Sequence, residues 1–148
     1  MFRGHFEHGI DDKGRTSLPA RFRHALGDAD LRLILTPALA DPCLDVYPLP
    51  AWEELEAKVA KLPRWDRDAV RLRRRYVTAA VECEIDRQGR LLIPAALRAH
   101  AALDKVVLWA GVGSTMELWG IERWRAEEAL PDEELQRWRS RIGEKLAL

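Results

Sequence analysis

The feature that most constrains this chain is an internal repeat. Ile10 to Arg23 aligns with Ile85 to Arg98, and Asp11, Gly14, Arg15, Pro19, Ala20 and Arg23 recur as Asp86, Gly89, Arg90, Pro94, Ala95 and Arg98. Each copy is followed by a β-like run, Leu31 to Thr36 and then Lys105 to Ala110. A second run follows in both, Leu44-Asp45-Val46-Tyr47 against Met116-Glu117-Leu118-Trp119. Trp52 and Trp124 stand five residues beyond the ends of those runs, each opening an amphipathic helical stretch. A match sustained over this length is not chance, so the chain must fold as two related units.

One unit reads as strand, tight turn, strand, short helix, strand, strand. Asp-x-x-Gly between β-like residues is turn chemistry, because Asp bonds the backbone ahead of it and Gly tolerates positive φ. Pro19 and Pro94 fit a first helical position, where a missing N–H is harmless. Phe22 and Leu26, like Leu97 and Ala101, then share a helix face. Leu18 and Ile93, which precede the prolines, are poor N-caps and leave those helix starts loosely defined. Between the units, Trp52, Leu55, Val59 and Leu62 recur at helical spacing, as do Val70 and Val77 with Ala69 and Tyr76. Pro63 separates these two helices, and Pro131 breaks a C-terminal stretch bearing Leu135, Trp138, Ile142 and Leu146. The expected division is unit 1 over 1–50, a helical pair over 51–78, unit 2 over 79–122 and C-terminal helices over 123–148. A unit of this size buries little core alone. The expected fold is therefore α+β, with two β units packed as an intrachain pseudo-dimer.

Composition excludes more than it selects. Among 148 residues, 47% hydrophobic and 32% charged content is that of a globular chain. No run of 18 apolar residues encodes a membrane span, and Met1-Phe2-Arg3-Gly4-His5 has no apolar signal core, so a cytoplasmic protein is expected. Cys43 and Cys83 are isolated, and buried reduced thiols are expected of them rather than a zinc knuckle. His5, Glu7 and His8 do not converge on one face of a strand, so no metal site is expected there. No phosphate loop, nucleophile elbow or HExxH motif is present. An enzyme, a cofactor and a small-molecule substrate are therefore not expected. The tryptophans stand mostly at helical or strand-end positions and are expected to pack in cores.

The 24 basic and 24 acidic side chains cancel, which on its own counts against nucleic-acid binding. Their distribution matters more. Lys61 to Arg75 is basic, whereas Glu53, Glu54 and Glu56, and then Glu127 to Glu134, are acidic. Arg71, Arg73, Arg74 and Arg75 read either as a solvated helix face, as phosphate contacts, or as a match for acidic helices of a neighbouring copy. At each turn, Lys13, Arg87 and Gln88 are expected near the tip, ahead of Arg15 and Arg90. A two-stranded ribbon fits the major groove, where Arg can pair with guanine O6 and N7. Asp11–Arg15 and Asp86–Arg90 also read as ion pairs bracing a turn, and both readings can hold together, with Asp steering the Arg fork.

At these residues the chain resembles the MraZ family, the tandem-repeat branch of SpoVT/AbrB-like swapped-hairpin proteins. The signs are Met1-Phe2-Arg3-Gly4, Asp11-Asp12-Lys13-Gly14-Arg15 with Pro19, Tyr47-Pro48-Leu49-Pro50 before Trp52-Glu53, Glu82 to Arg90, and Glu117-Leu118-Trp119. The resemblance runs from residue 1 to about 125. It implies a nucleoid-associated transcriptional regulator that forms homo-oligomeric rings. Such proteins bind double-stranded DNA at short direct repeats upstream of the division and cell-wall gene cluster, including their own gene. It places DNA contacts on Lys13, Arg15, Arg87, Gln88 and Arg90, with Asp11, Gly14, Asp86 and Gly89 bracing the turns. The alternative within the same broad fold is an antitoxin-like or scaffold module that binds protein. Two departures stand out. Gln88 replaces the first copy's Lys13, which implies a weaker phosphate grip, and Gly120 stands where a better helix cap is expected.

Overall fold

Both copies of the repeat fold alike in the computed structural model, which describes residues 1–28 and 30–148. The first unit contributes β1 (His5–Gly9), β2 (Arg15–Ser17), α1 (Ala20–Leu26), β3 (Arg32–Pro37) and β4 (Leu44–Pro48). Next come α2 (Leu49–Ala60) and α3 (Arg67–Leu72), the latter continued by a π-helical turn over Arg73–Val77. The second unit repeats the pattern with β5 (Val81–Glu84), β6 (Arg90–Leu92), α4 (Ala95–Ala101), β7 (Val106–Gly111) and β8 (Met116–Gly120). Two helices follow, α5 (Ile121–Glu128) and α6 (Asp132–Leu146).

The units exchange strands. A six-stranded antiparallel sheet runs β1-β7-β8-β4-β3-β5, so β1 pairs with the second unit and β5 with the first. The remaining strands, β2 and β6, pair with each other in a ribbon. The registers obey an approximate twofold: His8 faces Val107 as its repeat counterpart Cys83 faces Leu33. That axis passes between Asp45 and Glu117 at the β4–β8 seam and between Thr16 and Leu91 in the ribbon. The fold is thus the swapped-hairpin pseudo-dimer in one chain.

Strand alternation builds one core between the sheet and the ribbon. Leu33, Leu35, Leu44, Val46, Trp109 and Leu118 point from the sheet toward Thr16, Leu91 and Ile93 beneath the ribbon, and all are essentially inaccessible. Phe22 of α1, 1% exposed, meets Phe2 and Phe6 edge-on at 5.6 and 5.3 Å between ring centroids. Both units supply this cluster. The opposite face of the sheet is covered in two patches. Trp52 and Tyr76 pack on Ile34 on one side, and Trp124 and Ile121 flank Trp119 and Leu108 on the other.

Several local readings shift. Pro19 and Pro94 occupy the N-cap rather than the first helical position, and β3 and β7 each start one residue later than their apolar runs suggest. Gly120 caps α5 without a side chain, and the reason is space: a Cβ there would lie 2.6 Å from the carbonyl oxygen of Ala102. Four tryptophans pack, but Trp65 is 80% and Trp138 48% exposed, against the expectation of core positions. Among the described residues, no helix is long and apolar enough to cross a membrane.

At the β4–β8 seam Asp45 and Glu117 stand opposite one another, half-buried, with Cys43 beneath them. Their ligand atoms lie within 4.8 Å of one another, the chemistry of a metal-binding trio. Each carboxylate already has a protein donor: Tyr76 Oη to Asp45 Oδ2 at 2.5 Å, and Trp119 Nε1 to Glu117 Oε1 at 3.2 Å. Burial pushes the Cys43 thiol up, so it keeps its proton at neutral pH, and Cys83 is raised to about 11 for the same reason. The trio therefore reads as a polar seam. Burial also raises both carboxyls, and the charge of Asp45 raises Glu117 further. A raised folded-state value means wild type loses stability as pH climbs from the unfolded value of Glu117 through its folded one. Glu117→Gln keeps the acceptor for Trp119 without the charge. Its melting temperature is expected to exceed wild type at pH 7, with the gain vanishing below pH 4. An equal gain at both pH values would contradict this account.

Candidate nucleic-acid interface

The site is the ribbon and the turns at its two ends. In the first turn the Asp11 carboxylate accepts from the backbone N–H of Lys13 at 3.0 Å and of Arg15 at 2.8 Å, while its other oxygen takes Arg15 Nε at 2.8 Å. The second turn repeats this with Asp86, Gln88 and Arg90 at 2.9, 2.9 and 3.2 Å. The backbone N–H of Arg15 and of Arg90 contributes most to holding these two carboxyls below the usual aspartate range. Gly14 and Gly89 have φ of +92° and +79°, the left-handed region that the closing residue of such a turn requires.

Each Asp engages Nε of its arginine, so the outer guanidinium edge is aimed but not consumed. Among the described residues no hydrogen bond occupies the terminal nitrogens of Arg15 or Arg90, whose side chains are 37% and 35% accessible. Lys13, Arg87 and Gln88 are exposed at the tips. The ion-pair reading of these turns is correct as geometry, and it leaves the arginine fork available.

Register brings the two arginines together. Arg15 faces Leu92 and Ser17 faces Arg90, so all four side chains share the outer face of the ribbon, while Thr16 and Leu91 point into the core. Arg15 and Arg90 are diagonal neighbours, about 7–8 Å apart. The turns flank the ribbon's ends, roughly 14 Å apart along the strand direction. The ribbon is therefore one shared surface with a strand from each unit, not two separate hairpins.

Sequence reasoning missed the residues that lock this surface. The Leu18 N–H donates to Gly89 O at 2.9 Å, and the Ile93 N–H donates to Gly14 O at 2.8 Å, so each turn is held by the other unit. Arg98 lies against Gly14 while its Nε donates to Ile93 O, and Arg23 lies against Gly89. A Cβ at Gly14 would sit 2.6 Å from Arg98 Nε, and one at Gly89 would collide with the Arg23 guanidinium. The recurrence of Arg23 as Arg98 in the repeat was the available signal. Leu92, 58% exposed on the outer face of the ribbon opposite Arg15, had none.

A family model described as "MraZ protein, putative antitoxin-like" matches residues 1–75 and 77–137. The chain belongs to the MraZ family. Relatives agree along most of their length. The "Transcriptional regulator MraZ" of Thermoanaerobacter pseudethanolicus is 49% identical over 124 residues, covering 84% of each chain. That of Heliobacterium modesticaldum is 46% identical over 136 residues, covering 90% of this chain and 92% of its own. That of Moorella thermoacetica is 47% identical over 124 residues, again 84% of each. In this MraZ-family chain the matched region contains both turns, the whole ribbon and the sheet that carries it.

Proposed function

We propose that this chain is a sequence-specific DNA-binding transcriptional regulator that works as a ring-like oligomer. Its targets would be short direct repeats upstream of the division and cell-wall gene cluster, including its own gene. The observation that carries the reading is the outer face of the ribbon, with two oriented arginines at diagonal positions on a surface narrow enough for a major groove about 12 Å wide. In this reading Arg15 and Arg90 pair with guanine edges, and Leu92, directly across from Arg15, lies against a thymine methyl. Lys13, Arg87 and Gln88 meet phosphates on either side and set the register. Asp11, Gly14, Asp86 and Gly89 shape the turns that present them. The names of the relatives support a regulator, and the division of the chain into units at 1–50 and 79–122 belongs to the same proposal.

Zero net charge fits a protomer that binds weakly and gains from linkage to its neighbours, since avidity adds about 10²–10⁴ without new contacts. The rival reading, a protein-binding module in the antitoxin manner, draws on α6, which buries none of its residues. Fluorescence anisotropy on the DNA upstream of the gene separates the two. Binding is expected there in preference to a scrambled duplex. Its logarithm should fall with log salt at a slope of about −0.9 per phosphate contacted. With one contact each from Lys13 and Arg87, one protomer gives a slope near −2. No binding to either duplex, or a flat salt response, would remove the DNA reading.

A further inference from the structure

Among the described residues two patches are left without partners, and they are opposite in charge. Along α6, Leu135, Trp138, Ile142 and Leu146 form an apolar stripe, yet no residue of the helix is buried and Leu146 is 61% exposed. At the head of the stripe, the elbow between α5 and α6 carries Glu127, Glu128, Asp132, Glu133 and Glu134. The other patch is the corner between α2 and α3. There Leu62, at 40% exposure, and Arg64 line a hollow of about 550 Å³, and the Arg64 guanidinium lies 5.1 Å above the ring of the exposed Trp65. Ala60, Val70, Arg73 and Arg74 complete the hollow. Arg73 donates to the last carbonyls of α2, Val59 O and Leu62 O, at 3.0 and 3.1 Å, whereas Arg71, Arg74 and Arg75 are exposed. Among the described residues, every ion pair lies elsewhere, so neither the elbow acids nor the corner arginines are matched within the chain.

We infer that the acidic elbow and apolar stripe of α6 dock into the Trp65 corner of a second copy of this chain. This deepens the self-association proposed above and rests on it. Charge decides the occupant: one chain carries both halves of a complementary pair and satisfies neither by itself. Each half also offers an exposed tryptophan, and the corner adds arginines, the residue types that anchor interfaces. Because the two patches differ, the contact is heterologous. Each copy gives α6 to one neighbour and receives α6 from another, which builds a closed ring or an open filament rather than a twofold dimer. The DNA-facing ribbon belongs to neither patch and stays free in every copy.

Charge reversal with sedimentation velocity at micromolar concentration tests this on the full chain. Wild type is expected to sediment as an assembly. Arg74→Glu/Arg75→Glu, Glu133→Lys/Glu134→Lys and Trp138→Ser are each expected to weaken association at least tenfold and to run as single chains with unchanged far-ultraviolet dichroism spectra. Mixed in equal amounts, the two charge-reversed proteins should assemble again, since each reversed patch meets its reversed counterpart and each intact patch its intact one. Arg15→Ala should assemble as wild type. A single-chain wild type would remove the self-association reading and this inference with it. An assembled wild type whose reversals also assemble would overturn the patch assignment alone, as would a mixture that stays dissociated or an Arg15→Ala chain that falls apart.

Discussion

Arg15→Ala/Arg90→Ala is expected to lose 30-fold to 10⁴-fold in affinity for the specific DNA, with little change on a scrambled duplex. Each bidentate contact to guanine is worth about 1–3 kcal/mol of discrimination, and 1.4 kcal/mol is a factor of ten. The substitution is clean because Asp11 and Asp86 keep their backbone donors at Lys13, Gln88 and positions 15 and 90 whatever side chain stands there. The turns therefore survive, and circular dichroism should report an unchanged melt. Lys13→Ala gives the contrasting pattern, a uniform loss on both duplexes and a salt slope shallower by about 0.9. A double-arginine variant that binds its site as wild type does, with the melt intact, would show that the ribbon face is not what reads the bases.

Phe22→Ala carries the largest expected effect on stability, about 3–5 kcal/mol, the usual cost of truncating a fully packed phenylalanine. The ring fills the space between Phe2 and Phe6 in a cluster to which both units contribute. Its loss should thus lower one transition for the whole chain. Far-ultraviolet dichroism and tryptophan fluorescence in urea are expected to shift together, because the buried Trp109 and Trp119 stand in the second unit while Phe22 belongs to the first. Two separated transitions would mean that the units fold independently despite their shared sheet. Leu92→Ala is the control: exposed on the ribbon, it should change stability by no more than about 0.5 kcal/mol.

Much of this was legible beforehand because the repeat states it twice. The Asp-x-x-Gly turns, the short helices after Pro19 and Pro94, and the paired strands beyond them follow from local chemistry, and they stand where the residues place them to within about one position. What escaped is long-range. Arg23 and Arg98 look like exposed ends of short helices, and only the strand exchange sets each against the other unit's glycine. Gly120 reads as a poor cap until the Ala102 carbonyl is found where its side chain would be. The apolar spacing of Trp138 has the same period whether the stripe is covered by its own chain or by a neighbour, so periodicity alone assigned it to a core.

The covalent joining of the two units has a further consequence for what the ribbon can read. Two identical subunits must present identical half-surfaces, which favours palindromic targets. Here the two halves of one chain differ: Asp12-Lys13 at one end stands against Arg87-Gln88 at the other. A surface with distinguishable ends has polarity. It can tell one orientation of a non-palindromic site from the reverse, and copies laid side by side would all point the same way along the duplex.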